Sequence, residues 1–164
     1  MPCRAFIGIG SNLGDRKAQV FDAIARIGAL QDVRVIKHSS MYESEPHGEV
    51  GGLFLNCVIE IETELLPEKL LRRLREIERA LGRKRLRSKK PEPRTIDLDI
   101  LFYENHRIDS PTLQIPHPEI ANRRFVLLPL SELAPQLNHP VSGSTVSNML
   151  TACKDHKKLR LFHS

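Results

Sequence analysis

The segment Pro93-Arg94-Thr95-Ile96-Asp97-Leu98-Asp99-Ile100 concentrates the side chains best suited to chemistry. Acidic and aliphatic residues alternate there as they do on a strand, so Asp97 and Asp99 share one face, roughly 6 to 7 Å apart. Carboxylates held that close repel one another, and a metal ion would resolve the repulsion. Hard divalent cations want oxygen ligands. Mg2+ in particular takes one or two carboxylates and fills its other positions with phosphate and water. An exposed strand face that happens to carry two acids is the competing reading, and spacing alone leaves both open.

The neighbouring arginines favour the first. Arg83, Arg85 and Arg87 alternate after a predicted helix, and Arg94 directly precedes the acidic strand. Connectivity alone brings guanidinium groups and carboxylates together. Phosphate chemistry needs that mixture, Arg for bidentate contact with phosphoryl oxygens and metal for the charge developing between them. The charge distribution agrees. Of a net charge of +5, residues 72–94 carry eleven basic and three acidic side chains, a local +8 that leaves −3 for the rest. A uniformly basic coat for nucleic acid is thereby excluded, and a localised anionic partner is expected.

Three further groups are weaker. Gly8-Ile9-Gly10-Ser11-Asn12-Leu13-Gly14 lies between a strand and a helix, but its G-x-G-x-x-x-G spacing is not the dinucleotide fingerprint, and the glycines read as turn residues. In Ile115-Pro116-His117-Pro118 the prolines hold a histidine in a stiff extended segment, the one feature favouring ligand contact for it. Asn122-Arg123-Arg124-Phe125 gathers donors and an aromatic ring at a predicted helix start.

The elements that must carry these residues can be read from periodicity. Arg4 to Gly10 is a strand, Asp15 caps a helix containing Val20, Ile24, Ile27 and Leu30, and Val33 to Tyr42 is a second strand. Residues 44–52 form a polar, Gly-rich loop. Phe54 to Thr63 alternates as a third strand. Pro67 opens a second helix with Leu70, Leu74, Ile77 and Leu81 as its buried stripe, and Gly82 stops it. Thr95 to Tyr103 alternates strictly, with Ile96, Leu98, Ile100 and Phe102 opposite Asp97, Asp99, Leu101 and Tyr103. Beyond it come a turn at Glu104-Asn105, an extended Leu113-Gln114-Ile115 and a helix from Arg123 to Ala134. The order β-α-β-β-α-β predicts an α+β, ferredoxin-like antiparallel sheet with helices on one face and a C-terminal elaboration.

With 164 residues, a single domain spanning 1–164 is expected, with a basic tail from about residue 154. Hydrophobic residues make up 40% and charged residues 27%, against disorder. The three cysteines have no CxxC spacing and support neither a disulfide framework nor a zinc site. No apolar run is long enough to span a membrane, so the expectation is a soluble cytoplasmic protein with no membrane partner.

Taken together in this order, these residues resemble the 6-hydroxymethyl-7,8-dihydropterin pyrophosphokinase family of folate biosynthesis. The likeness runs from Gly8–Gly14 through Asn56, Glu78 and Gly82-Arg83 to the Pro93–Leu101 motif, Pro116-His117-Pro118 and Asn122-Arg123-Arg124-Phe125. It implies transfer of pyrophosphate from ATP to the pterin hydroxymethyl group, releasing AMP. By the same resemblance Asp97 and Asp99 hold two Mg2+ ions, and Arg83 and Arg94 are catalytic. Glu78, Arg85, Arg94, Ile100, His117 and Arg123 then line the ATP site, and Ser44, His47, Phe54, Asn56 and Phe125 the pterin site. The loops 44–52 and 83–92 would be lids. The implied partners are the two small-molecule substrates, without nucleic acid, and the chain is expected to be a monomer.

A ferredoxin-like RNA-binding module using the basic loop is the alternative. Such modules stack bases on strand aromatics. Here the third strand carries only Phe54, and an acidic pair on the last strand repels phosphate unless metal is present.

Overall fold

The computed structural model describes residues 1–45, 52–82 and 96–163. Two long strands set its frame. β1 (Cys3–Ser11) and β4 (Phe54–Thr63) pair antiparallel along their whole length, from Cys3 opposite Thr63 to Ser11 opposite Leu55. β5 (Asp97–Tyr103) pairs antiparallel with the other edge of β1, and β2 (Val33–His38) and β3 (Tyr42–Ser44) both pair antiparallel with β4. The result is an α+β arrangement around an antiparallel sheet, in the strand order β5-β1-β4 followed by β2 and β3.

Alternation along β1 divides the interior in two. Ala5, Ile7 and Ile9 face a core completed by Val20, Ala23 and Ile27 of α1 (Arg16–Gly28) and by Leu70, Leu74 and Ile77 of α2 (Pro67–Ala80). Both helices start as their sequences predict. The Asp15 side chain accepts the Ala18 N–H at 3.1 Å, and Pro67 sits in the first turn of α2, where its missing N–H costs nothing. Gly82, just beyond α2, has φ +92°, a conformation that favours glycine.

Phe6 points to the other face and joins Val58, Leu101 and Phe102 in a second core. Val126, Leu127, Leu130 and Leu133 of α3 (Arg124–Leu133) and Val146 and Met149 of α4 (Val146–Ala152) close it. The expectation of helices on one face therefore holds for α1 and α2 only. The C-terminal elaboration covers the opposite face, because Phe6, Val58 and Phe102 are apolar there and would otherwise be bare.

Two further expectations are corrected, and one element appears where the sequence left the role of the tail open. The predicted strand over 33–42 is two strands, because Ser39 interrupts it. Its N–H donates to the Val58 carbonyl at 2.8 Å and its Oγ accepts the Val58 N–H at 2.9 Å, so one residue satisfies β4 where a continuous strand would have run. The alternation of β5 also breaks. Ile7 lies opposite Ile100 and Phe6 opposite Phe102, which leaves Leu101 as the extra residue of a β-bulge. Leu101 and Phe102 consequently both face the α3 side, while Tyr103 returns to the α1/α2 core. Finally, the basic tail contributes a strand. After β6 (Ile108–Asp109) and β7 (Gln114–Ile115), which pair only with each other, β8 (Leu159–Leu161) pairs antiparallel with β3 and extends the sheet.

Candidate active site

The acidic residues lie on the strand that borders one edge of this sheet. In the register of β1 and β5, Asp97 is opposite Gly10 and Asp99 opposite Gly8; across β4 the same two glycines face Asn56 and Val58. Gly8 and Gly10 are thus strand residues and not turn residues. Gly8 makes room for the Leu101 side chain, whose Cδ2 would lie 3.3 Å from a Cβ there, and Gly10 leaves the sheet floor open between Asp97 of β5 and the Asn56 amide of β4. A Cβ on Gly10 would stand 3.5 Å from Asn56 Oδ1 and 3.6 Å from Phe54 Cδ1, filling that floor.

Asp99 is in electrostatic conflict. Burial of its carboxyl, followed by the nearby charge of Asp97, pushes its pKa from 3.8 to about 7; Glu78 adds to the rise, and Arg75 and Arg123 oppose it. These oxygen donors fit Mg2+. Mg2+ takes one or two carboxylates with phosphate and water at its other positions; among the described residues no cluster of three or more His, Cys, Asp or Glu is gathered.

His117 stands close enough for Asp97 and Arg123 to act on it. Its backbone N–H donates to the Leu101 carbonyl at 3.0 Å, tying the Pro-His-Pro segment to the bulge of β5, and the Ile115–Pro116 peptide is cis. The ring Nδ1 accepts the Glu119 N–H at 3.1 Å, which assigns the proton of the neutral ring to Nε2. Burial and then Arg123 hold its pKa below the ordinary value. The result is a neutral N–H donor beside a cation, Arg123, whose guanidinium carbon lies 5.7 Å from the centre of the Phe125 ring.

On the other side of Gly10, the Asn56 Nδ2 donates to Ser44 Oγ at 2.7 Å and to the Tyr42 carbonyl at 3.1 Å. Ser44 and Asn56 are both buried, and Phe54 and Phe125 are partly exposed. Ser44, Phe54 and Asn56 therefore adjoin one another next to the carboxylates, and Phe125 lies at the edge of the second core. Ile100 differs from expectation in one respect. Its side chain is buried in the α1/α2 core, so only its backbone can meet a ligand. Arg83, Arg85, Arg94 and His47 lie outside the described residues.

Residues 6–135 match the model of the 7,8-dihydro-6-hydroxymethylpterin-pyrophosphokinase (HPPK) family. The chain belongs to that family. Among relatives that share the name 2-amino-4-hydroxy-6-hydroxymethyldihydropteridine pyrophosphokinase, the protein of Haemophilus influenzae is 40% identical over 96% of this chain and 97% of its own length. That of Methylorubrum extorquens is 40% identical over 90% of this chain and 91% of its own. The folic acid synthesis protein fol1 of Pneumocystis carinii is 41% identical over 92% of this chain, which spans only 20% of that longer protein. The fold resembles that of Plasmodium falciparum HPPK-DHPS, solved as wild type with pteroate, with a TM-score of 0.72 at 16% identity over 93% of this chain and 42% of that one.

Within this HPPK chain, sequence reasoning missed Arg75. It lies one turn before Glu78 on α2, and the two side chains meet β5 together. Arg75 Nη1 donates to the Leu98 carbonyl at 2.8 Å, Glu78 Oε2 accepts the Leu98 N–H at 2.8 Å, and the pair closes at 2.9 Å between Arg75 Nη1 and Glu78 Oε1. The available signal was a charge in the wrong place, since Glu78 follows Leu74 by four residues and so sits on the buried stripe of the helix.

Proposed function

We propose that this HPPK-family chain transfers the pyrophosphoryl group of ATP to the hydroxymethyl oxygen of 6-hydroxymethyl-7,8-dihydropterin. That oxygen bonds to the β-phosphorus, the bond from the β-phosphorus to the bridging oxygen of AMP breaks, and the alcohol proton passes to solvent. The observation that carries the reading is the row Asp97–Gly10–Asn56, a hard-cation site separated from an amide and an aromatic ring by one bare strand position.

In this reading Asp97 and Asp99 hold two Mg2+ ions, which when bound neutralise charge on the phosphoryl oxygens. Arg83 and Arg94 bind the transferring phosphates. Arg85, Arg123 and the Nε2–H of His117 complete the ATP contacts, and a neutral donor suits this position because it orients ATP without adding a further full charge. Ile100 contributes backbone, since it shares the parity of Leu98 on β5 and turns its N–H and carbonyl away from β1. Glu78 serves the site from beneath, through Leu98. Phe54 and Phe125 cover the faces of the pterin, while Asn56, Ser44 and His47 read its edge. Attack by a primary alcohol on phosphorus passes through a loose transition state, so alignment and charge supply the acceleration, and no general base is assigned.

The strand order β5-β1-β4-β2, with α1 and α2 on one face, supports a ferredoxin-like frame acting as one domain. No described helix is long and apolar enough to cross a membrane, and the proposed reading is of a cytoplasmic monomer working on small molecules. The RNA-binding alternative is not favoured, because the sheet face that would stack bases carries Asp97 and Asp99 and, beyond them, lies under α3. The deciding experiment is AMP release from Mg-ATP with and without the hydroxymethyl pterin. Pterin-dependent AMP is expected, and its absence overturns the reading.

A further inference from the structure

β5 has β1 on one edge, and among the described residues no strand continues the sheet beyond the other. At Leu98, the residue between the two aspartates, both backbone polar atoms turn to α2, where Glu78 takes the N–H and Arg75 the carbonyl. Two side chains thus do what a neighbouring strand would do at that position. They do so at a cost in desolvation, because Glu78 is only 1% exposed and a buried carboxylate is tolerated only when it is paired and hydrogen-bonded. Burying an ion pair is seldom the most stable solution, and an apolar pair of similar volume would serve the core as well or better. What an apolar pair could not do is hold both polar backbone atoms of one residue, and with them the two peptide units that flank it.

We infer that Arg75 and Glu78 are positioning residues for the Asp97–Asp99 pair, fixing the directions of both carboxylates through the backbone of Leu98. The inference rests on the metal role proposed above for those aspartates. With β1 holding Asp97 and Asp99 opposite Gly10 and Gly8, and α2 holding the backbone of the residue between them, neither Cα–Cβ bond can be re-aimed without breaking a hydrogen bond on one side of the strand. Groups that orient metal ligands in this way typically change metal affinity by about 10- to 100-fold when removed.

The test uses the full chain and Mn2+ alone, titrated by electron paramagnetic resonance, with amide exchange at Leu98 as a second readout. In the Arg75→Met/Glu78→Met double variant no charge is left uncompensated, so the fold persists. Its Mn2+ affinity should fall about tenfold and its Leu98 amide should exchange at least tenfold faster. Arg75→Lys, which keeps a charge and a donor, should stay within about threefold of the unaltered chain. Asp97→Ala is the control. If it leaves Mn2+ binding unchanged, the metal reading itself fails; if it abolishes binding while the double variant stays within twofold, the positioning role is overturned and the metal reading stands. Should the double variant not fold, Arg75→Met/Glu78→Gln carries the same comparison, because it leaves no buried charge and keeps an acceptor for the Leu98 N–H, and Mn2+ affinity equal to that of the unaltered chain again overturns the inference.

Discussion

Asp99 and Asp97 cannot both ionise freely on one strand face, and the consequence is measurable. The folded chain holds the Asp99 proton more tightly than the unfolded chain does, since its pKa rises from 3.8 to about 7. The sign follows from linkage: the stabilisation from this group is complete below pH 3.8 and is lost as pH rises through about 7. Thermal melts without metal should therefore show declining stability from acid toward pH 8 from this group, and adding Mg2+ should reverse the trend, because the ion binds the deprotonated carboxylate. Mg2+ affinity should rise with pH and level off above about 7, with proton release on binding; affinity flat from pH 5 to 8 would contradict the assignment. Asp97→Ala and Asp99→Ala should each lower turnover by at least about a hundredfold while leaving the circular dichroism unchanged. At this scale the sequence was most informative about charge and least informative about space. The pairing of Asp97 with Asp99 was evident from alternation, but the role of Gly8 and Gly10 was not, because only strand register reveals that they lie opposite the aspartates. Gly10→Val should accordingly fold and bind both ligands more weakly, as competition between the new side chain and the substrates at the sheet floor would be visible in both KM values.

Between residue and fold, β3 depends on its neighbour for support. It is three residues long, carries Ser44, and is held on one side by β4 and on the other by β8. Glu43 ties three elements together, meeting Arg16 of α1 at 2.8 Å and Arg160 of β8 at 3.0 Å, with Arg16 the larger cause of its lowered pKa. Phe162 continues the attachment through its N–H to the Met41 carbonyl at 2.9 Å. Truncation after Lys157 should cost about 2 kcal/mol, the worth of a few ladder hydrogen bonds at roughly 1 kcal/mol each. Steady-state kinetics should then show a KM for pterin raised severalfold and a KM for ATP unchanged, since the proposed function gives Ser44 to the pterin side alone. Equal effects on both would mean that β8 supports the fold in general and not β3. Nothing in the composition of 154–163 announces this strand. Its basic residues read as solubilising, and pairing with β3 is a long-range fact that local periodicity does not encode. The helices were easier. Asp15, Pro67 and the stripe Leu70, Leu74 and Ile77 mark α1 and α2 by local chemistry, whereas α4 is seven residues long, too short for its period to stand out.

At the scale of the whole molecule, one sheet serves two cores, and the candidate site lies where they part. Leu127 is fully buried on the α3 side and Leu74 on the α1/α2 side. Replacing either with Ala should cost about 2–5 kcal/mol in denaturant unfolding, and coincident transitions by different probes are expected because β1, β4 and β5 belong to both layers. The succession of β1, α1, β2, β4, α2 and β5 was legible because each of these elements is locally amphipathic, whereas the three-residue β3 between β2 and β4 was not. The second layer was not, since a strand apolar on both faces alternates less clearly and says little about what will cover it. The bulge at Leu101 carries a further consequence, for tolerance to insertion and deletion. A strand reverses the facing of every residue beyond a one-residue change, so deleting Leu98 would throw Asp97 and Asp99 onto opposite sides of the sheet. Deleting Leu101 would do the reverse of harm to the pattern. Ile100, Phe102 and Tyr103 would keep their present sides in an unbroken alternation, and the losses would be the buried Leu101 side chain of the second core and the carbonyl that receives the His117 N–H. Leu101 is in this sense a letter that the alternation could spare and the packing around the ligand site could not.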